Sequence, residues 1–229
     1  MITRFGDEFL SEAELHAAWG AAQLQALTDF LPEGPWTADL EACLYRQGGL
    51  ALRVSVLGTY DSQERSWMWG WANPGLRGTE SVALAAAVER YGRAHGIAEF
   101  TEETLDLSGF PDPRIAAETL AFAGMGVAEA PGYIGVEAGP GTRVYFLPHD
   151  PQVPRAALDP VSLPRTLITG ASLIGHAPRR VVTGYFAHHG VAVHETGDRV
   201  VAELPGGGAV RIDFDAVGRI AEVSLTARP

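Results

Sequence analysis

The amino-acid sequence predicts an α+β fold: an antiparallel β-meander packed by helices, with a C-terminal unit of two helices and a four-stranded meander. Three observations predict it. Apolar residues recur at helical spacing over residues 11–31. The β-forming runs 36–46, 50–60 and 65–72 are joined by connections so short that neighbours must be antiparallel. Two helical patterns and four short strand-like runs then close the chain.

In chain order, Ser11-Glu12-Ala13-Glu14 reads as a capping box. Leu15, Trp19, Ala22, Ala26 and Phe30 follow on one helical face, and Pro32, Gly34 and Pro35 end the helix. The three strand runs are separated by Gly48-Gly49 and by Asp61-Ser62-Gln63, and Asn73-Pro74-Gly75 is a turn signal. Residues 80–95 read as a helix stopped by Gly96, and 98–107 as a short strand. Asp112-Pro113 is an N-cap with proline at the first helical position, for a helix to about Gly124. Strands are expected near 132–137 and 142–148.

Residues 1–150 are expected to form a helix-plus-sheet domain, and the proline-rich 151–163 a linker. Residues 164–229 are expected to form a small α+β unit packed on the first. Its helices are predicted at 163–175 and 178–189, and its strands near 191–195, 199–204, 209–214 and 219–226.

Composition narrows the function classes. The chain has 229 residues, 46% hydrophobic and 20% charged, enough apolar material for a core. It contains no apolar run of about 18 residues, so no membrane span is expected. The N-terminal stretch lacks the pattern of a signal peptide. The single cysteine, Cys43, has no disulfide partner within the chain. A cytoplasmic setting is the expectation, with Cys43 a buried, inert thiol.

All 17 basic residues are arginine, which together with heavy Ala, Gly and Pro usage suggests a GC-rich bacterial genome. Chemistries that need a primary amine, such as Schiff-base or Walker A lysines, have no residue to carry them. Net charge is −11, unevenly placed: residues 1–150 carry 21 Asp/Glu against 9 Arg. Such a segment repels phosphate, so nucleic acid is not an expected partner, whereas a basic protein is.

The unusual segment is Ser66-Trp67-Met68-Trp69-Gly70-Trp71-Ala72-Asn73. On a strand, Trp67, Trp69 and Trp71 would share one face and Met68, Gly70 and Ala72 the other. The ladder has two readings: a sheet core packed against Trp19 and Phe30, or a stacking platform for a ligand or partner, with Asn73 beside it. Trp67, Trp69, Trp71 and Asn73 are therefore the candidate binding residues. This segment, after an amphipathic helix and a Trp36-to-Asp39 strand, resembles the T-W-L-W-A-W-A-N-type motif of the DUF6882 family of bacterial proteins of unknown function. Met68 and Gly70 stand where Leu and Ala are usual. The resemblance spans about residues 5–148 and implies an α+β domain, with no established activity and no catalytic residues.

Other candidates carry less. His188-His189 with His194-Glu195 lacks the convergent spacing of a metal site, and no metal or cofactor is expected. Glu102, Glu103, Asp106 and Asp112 read as a solvated acidic face, and Arg179-Arg180 as solvated arginines. Gly170-Ala171-Ser172 is not a nucleophile elbow and suits close helix packing. The expected function is a non-catalytic protein-interaction module, with immunity-type neutralisation of a partner protein as one form of it. The alternative is a small-ligand binding or sensing protein with a tryptophan-lined groove.

Overall fold

The computed structural model describes residues 4–226. Its described residues form two compact units. The first holds the residues up to Phe9 together with Gln23–Arg155; the second holds Leu10–Ala22 and the residues from Ala156 onward. Helix α1 (Asp7–Phe30) thus gives its two ends to the first unit and its middle turns to the second.

α1 begins four residues before the predicted capping box. Gly6 is its N-cap and donates its N–H to Glu99 Oε1 at 2.6 Å, and Asp7 and Glu8 lie in the first turn, where the helix dipole favours negative charge. Ser11 and Glu14 are interior residues of the helix, with their side chains engaged elsewhere.

In the first unit, β1 (Trp36–Asp39) and β2 (Leu44–Gln47) form a hairpin. The single run predicted at 36–46 is therefore two strands, broken where Cys43 turns with φ 53°. β3 (Leu50–Asp61) is the central strand. It pairs antiparallel with β2 through its first residues, with β4 (Ser66–Trp69) through its last, and with β7 (Thr142–Pro148) from Val54 to Asp61. β5 (Thr104–Asp106) adds to β4, and β6 (Ile134–Gly139) to β7. The strand predicted at 98–107 opens instead as a short helix, α3 (Ala98–Thr101), and only its end is β5.

α2 (Ala83–His95) stops at Gly96, which takes the left-handed conformation at φ 69° that a Cβ disfavours. α4 (Pro113–Val127) begins as predicted: Asp112 accepts the N–H groups of Arg114 and Ile115, and Pro113 leads the first turn. Its buried residues mix the large Leu120, Phe122 and Met125 with the small Ala116, Ala117, Ala121, Ala123 and Gly124, and the helix lies close to the sheet at Gly124. A Cβ on Gly124 would meet Leu57 at 3.1 Å and the Trp69 ring at 3.3 Å.

The second unit contains α5 (Leu163–Leu173), α6 (Pro178–His188) and a meander, β8 (Val193–Thr196), β9 (Arg199–Glu203), β10 (Ala209–Phe214) and β11 (Ile220–Thr226), in the spatial order β11-β10-β9-β8. These elements follow the predicted pattern closely. Val200, Ala202, Val210 and Ile212 alternate inward and are fully buried with Val182 and Phe186 of α6. Glycines let the helices touch: the Cα of Gly170 on α5 faces Ala18 of α1, and Gly184 on α6 faces the Leu15 carbonyl.

Gly58 and Gly70 are the corresponding close approaches in the first unit. A methyl on Gly58 would enter the Trp67 ring, and one on Gly70 would meet the Val56 carbonyl oxygen. Gly58→Ala and Gly70→Ala are each expected to cost about 1–3 kcal/mol in urea unfolding. Gly139→Ala, with nothing within 4 Å of the added carbon, is expected to change stability by no more than about 0.5 kcal/mol. Equal effects at all three positions would contradict this packing.

Candidate functional site

The tryptophan segment is built on β4. Ser66–Trp69 alternate in burial, and Trp67 and Trp69 share the inner face at 0% exposure. The strand ends there. Gly70–Ala72 form a 3₁₀ turn, because the chain at Gly70 lies directly on the backbone of β3 at Val56. Trp71, at 7% exposure, is therefore on this turn and not on the strand face of the other two. Gly70 admits a close neighbour, and that neighbour is β3 itself.

The surroundings of the ladder differ from the core reading that placed Trp19 and Phe30 opposite it. Trp67 packs on Trp69 at 5.2 Å between ring centroids and on Tyr145 of β7 at 5.1 Å. Trp69 meets Phe100 of α3 edge-on at 5.8 Å and donates its indole N–H to the Glu99 carbonyl at 2.8 Å. Phe100 continues to Phe9, Phe5 and Phe110, so one aromatic run crosses the unit. The indole N–H groups of Trp67 and Trp71 are buried and find no hydrogen-bond partner among the described residues. Asn73 is half-buried. Its Oδ1 accepts the Gly75 N–H, and its carbonyl accepts those of Leu76 and Arg77. It shapes the loop after the turn, and Arg77 ties that loop to the Ala72 carbonyl and to Glu103. Neither Trp67 nor Trp69 presents a ring face to solvent, which a stacking platform requires.

Beyond Tyr145 the aromatic run ends on a polar hub that the sequence reading missed. Glu118 of α4 accepts hydrogen bonds from Tyr133 at 2.8 Å, from Tyr145 at 3.1 Å and from Arg114 at 3.1 Å, with Arg143 at 3.5 Å. Burial first, and then the Glu118 charge, push both phenols far above their ordinary range. Both hydroxyls are therefore neutral donors at neutral pH, and the carboxylate they hold is saturated. Only the Arg114–Glu118 spacing of four on one helix hinted at this hub.

The second unit holds another cluster outside the prediction. Glu14, 4% exposed, accepts the backbone N–H of His176 at 2.7 Å and of Ala177 at 3.0 Å, and pairs with Arg180 at 2.5 Å. Arg180 also reaches the Ser11 hydroxyl. The two residues of the predicted capping box thus hold the α5–α6 turn. His16 lies 3.0 Å from Glu12 and 2.8 Å from His188, and His188 stacks on Trp19 at 4.0 Å. Glu12, His16 and Trp19 lie at i, i+4 and i+7, a helical stripe legible in sequence; their meeting with His188 was not. Arg179, read as solvated, covers the Phe214 ring at 4.5 Å and bonds the Gly197 carbonyl.

The remaining candidates have individual roles. Asp112 caps α4, Glu103 pairs with Arg77, and Asp106 is held below the usual carboxyl range by the Ser108 side chain first and then by the Ser108 N–H that it accepts. The Cys43 thiol is pushed up by burial, then by Glu80 and Asp39. The Ser172 hydroxyl donates to the Ile168 carbonyl of its own helix. Among the described residues, no three His, Cys, Asp or Glu side chains converge as a metal ion would require. No described helix is long and apolar enough to cross a membrane.

A family model described as "Family of unknown function (DUF6882)" matches residues 10–151. No curated protein and no solved structure matches the chain.

The raised phenol values set an alkaline limit. The unfolded chain releases tyrosine protons near pH 10, while Tyr133 and Tyr145 keep theirs in the native state. The unfolded state then binds fewer protons, so stability falls as pH rises above about 10. Tyrosinate absorbance at these two sites should appear only together with unfolding. Gradual ionisation of all six tyrosines in a protein that remains folded would contradict the hub geometry.

Proposed function

The chain belongs to the DUF6882 family of unknown function, and from that premise we propose that it is a non-catalytic protein-interaction module of the bacterial cytoplasm. In this reading its acidic first unit captures a basic protein. The observation that carries the reading is where the two conspicuous sequence features sit. The tryptophans are enclosed in the core, so the face left to a partner is rich in carboxylates.

Few of those carboxylates are neutralised locally. Asp39, Glu41, Glu80, Glu102 and Glu129 are exposed, and none forms an ion pair among the described residues. Asp39 and Glu80, far apart in sequence, both bear on the Cys43 thiol, so their fields add in one region. Such a field attracts a basic protein and repels phosphate, which disfavours nucleic acid. Neutralising a toxic partner, as immunity-type proteins do, is one role such a module would serve.

A second reading, a small-ligand or sensing site at Trp67, Trp69, Trp71 and Asn73, is favoured by one observation. The buried indole N–H groups of Trp67 and Trp71 find no acceptor among the described residues, and a polar ligand would supply one.

The tests separate the two. Tagged full-length protein is expected to retain one stoichiometric basic partner from host lysate at about 0.05 M salt and to lose it near 0.5 M, where screening shortens to a few ångströms. Replacing Asp39, Glu41 and Glu80 with their amides should slow association about tenfold without altering thermal stability. A blank at both salt concentrations would sink the interaction reading. A compound that raises the melting temperature and shifts tryptophan emission, with both effects lost in Trp71→Phe, would establish the second reading instead.

A further inference from the structure

We propose that the outer edge of β1 takes an extended segment of the basic partner as a further antiparallel strand, a proposal that rests on the protein-interaction reading above. β1 is an end strand of the first unit's sheet, and among the described residues it pairs only with β2.

The hydrogen-bond register shows which groups that edge offers. In antiparallel strands alternate residues direct their N–H and C=O to the same neighbour. Val54 donates its N–H to the Cys43 carbonyl at 2.9 Å. The turn Gly48-Gly49, with φ 53° and 87°, closes β2 on β3 at the Gln47–Leu50 pair. Cys43, Tyr45 and Gln47 therefore bond toward β3, and Leu44 and Arg46 toward β1. Opposite these two lie Asp39 and Thr37. The N–H and C=O groups of Trp36 and Ala38 are left pointing away from the sheet, and no described strand meets them. Such a row of unpaired backbone groups is what strand addition uses.

The side chains around the edge select the occupant. Trp36 and Ala38 share one face with the buried Tyr45, whose ring stacks on Trp36 at 6.0 Å. Trp36 is half-buried, so apolar side chains of an added strand would cover the rest of its ring. The other face carries Thr37 and Asp39, both exposed, and Glu33 and Glu41 are exposed just before and just after the strand. Against these carboxylates, residues 33–47 carry one positive side chain, Arg46 on β2. The segment that fits alternates arginine or lysine with apolar residues, its basic side chains on the Asp39 face.

The other edges of the acidic unit offer less. β5 spans three residues, and Glu103 beside it is already paired with Arg77. On β6 the Gly135 carbonyl is taken by Arg143. β8 and β11 are the edges of the second unit's sheet.

The probe is a synthetic peptide of about eight residues in which arginine alternates with valine. It is added to the full-length protein at about 0.05 M salt and followed by amide NMR. Binding is expected to shift the Trp36 and Ala38 amides and to slow their exchange about tenfold. Two further peptides carry N-methyl groups, one on every valine and the other on every arginine. In the antiparallel register the valine N–H groups bond to β1 and the arginine N–H groups point away. Methylating the valines should weaken binding about tenfold or more, and methylating the arginines less than about twofold, at unchanged charge. Ala38→Pro removes one outward N–H at an edge position that tolerates proline, and should weaken the unmethylated peptide about fivefold. If that variant does not fold, the methylated peptides decide on the wild-type chain. Equal affinities of the two methylated peptides, or unshifted Trp36 and Ala38 amides, would overturn strand addition. Capture of a basic partner from lysate would then still stand or fall on its own salt dependence.

Discussion

The first unit depends on how closely two strands approach. β4 and the turn after it lie on β3 with no side chain between them at two points, under the Trp67 ring at Gly58 and at the Val56 carbonyl facing Gly70. That approach seats two indoles, nearly perpendicular to each other, in the interior. Each buried aromatic of this size removes roughly 150–250 Å² from water, and the indoles also form the surface on which the rest of the unit packs. Tyr145 of β7 closes one side of Trp67, Phe100 of α3 closes Trp69, and α4 comes near enough only because Gly124 has no side chain. A clash at either glycine would be transmitted in a close-packed interior to all of these elements.

The second unit meets a different demand. α5 and α6 are joined by a tight turn whose backbone N–H groups point inward, where leaving them unpaired would be costly. Glu14 supplies the acceptor from α1, and Gly175, at φ 72°, leaves room for its carboxylate. Arg180 then neutralises the buried charge, as a buried carboxylate requires. One side chain thus fixes a turn more than 160 residues away in sequence. His16, one helical half-turn on, is free to face α6.

The α+β class and most helix and strand positions were legible in the sequence because they depend on local signals: period, turn glycines, and the Asp112-Pro113 cap. The misreadings share one physical cause, that local patterns are ambiguous about what lies across space. Ser-x-x-Glu within residues 11–14 satisfies the capping-box pattern, yet Gly6 and Glu99 start the helix. Three tryptophans at alternate positions satisfy a strand face, yet contact with β3 turns the chain after Trp69. The run at 36–46 shows no strong breaker, and its turn falls at Cys43, where a non-glycine residue takes positive φ. The candidate binding residues were legible as a conspicuous cluster with two readings, sheet core or stacking platform, because an aromatic stripe reads alike on either side of a sheet; the neighbours that enclose them were not legible. Glu118 and the His16–His188 pair join residues 15 to 172 positions apart, beyond the reach of any spacing rule.

Conspicuousness and accessibility are separate properties, and in this chain they diverge. A rare pattern of large aromatics draws attention as a binding motif, but the same rings, once enclosed by glycine contacts and edge-on partners, are better understood as what makes the fold possible. A core of this kind constrains its neighbours more tightly than a surface site does. Each indole fixes the size of several residues around it, whereas a surface contact tolerates exchange. A sequence signature centred on such residues therefore marks a shared architecture first. What that architecture leaves outside in the first unit is rich in carboxylates, among them Asp39, Glu41, Glu80, Glu102 and Glu129.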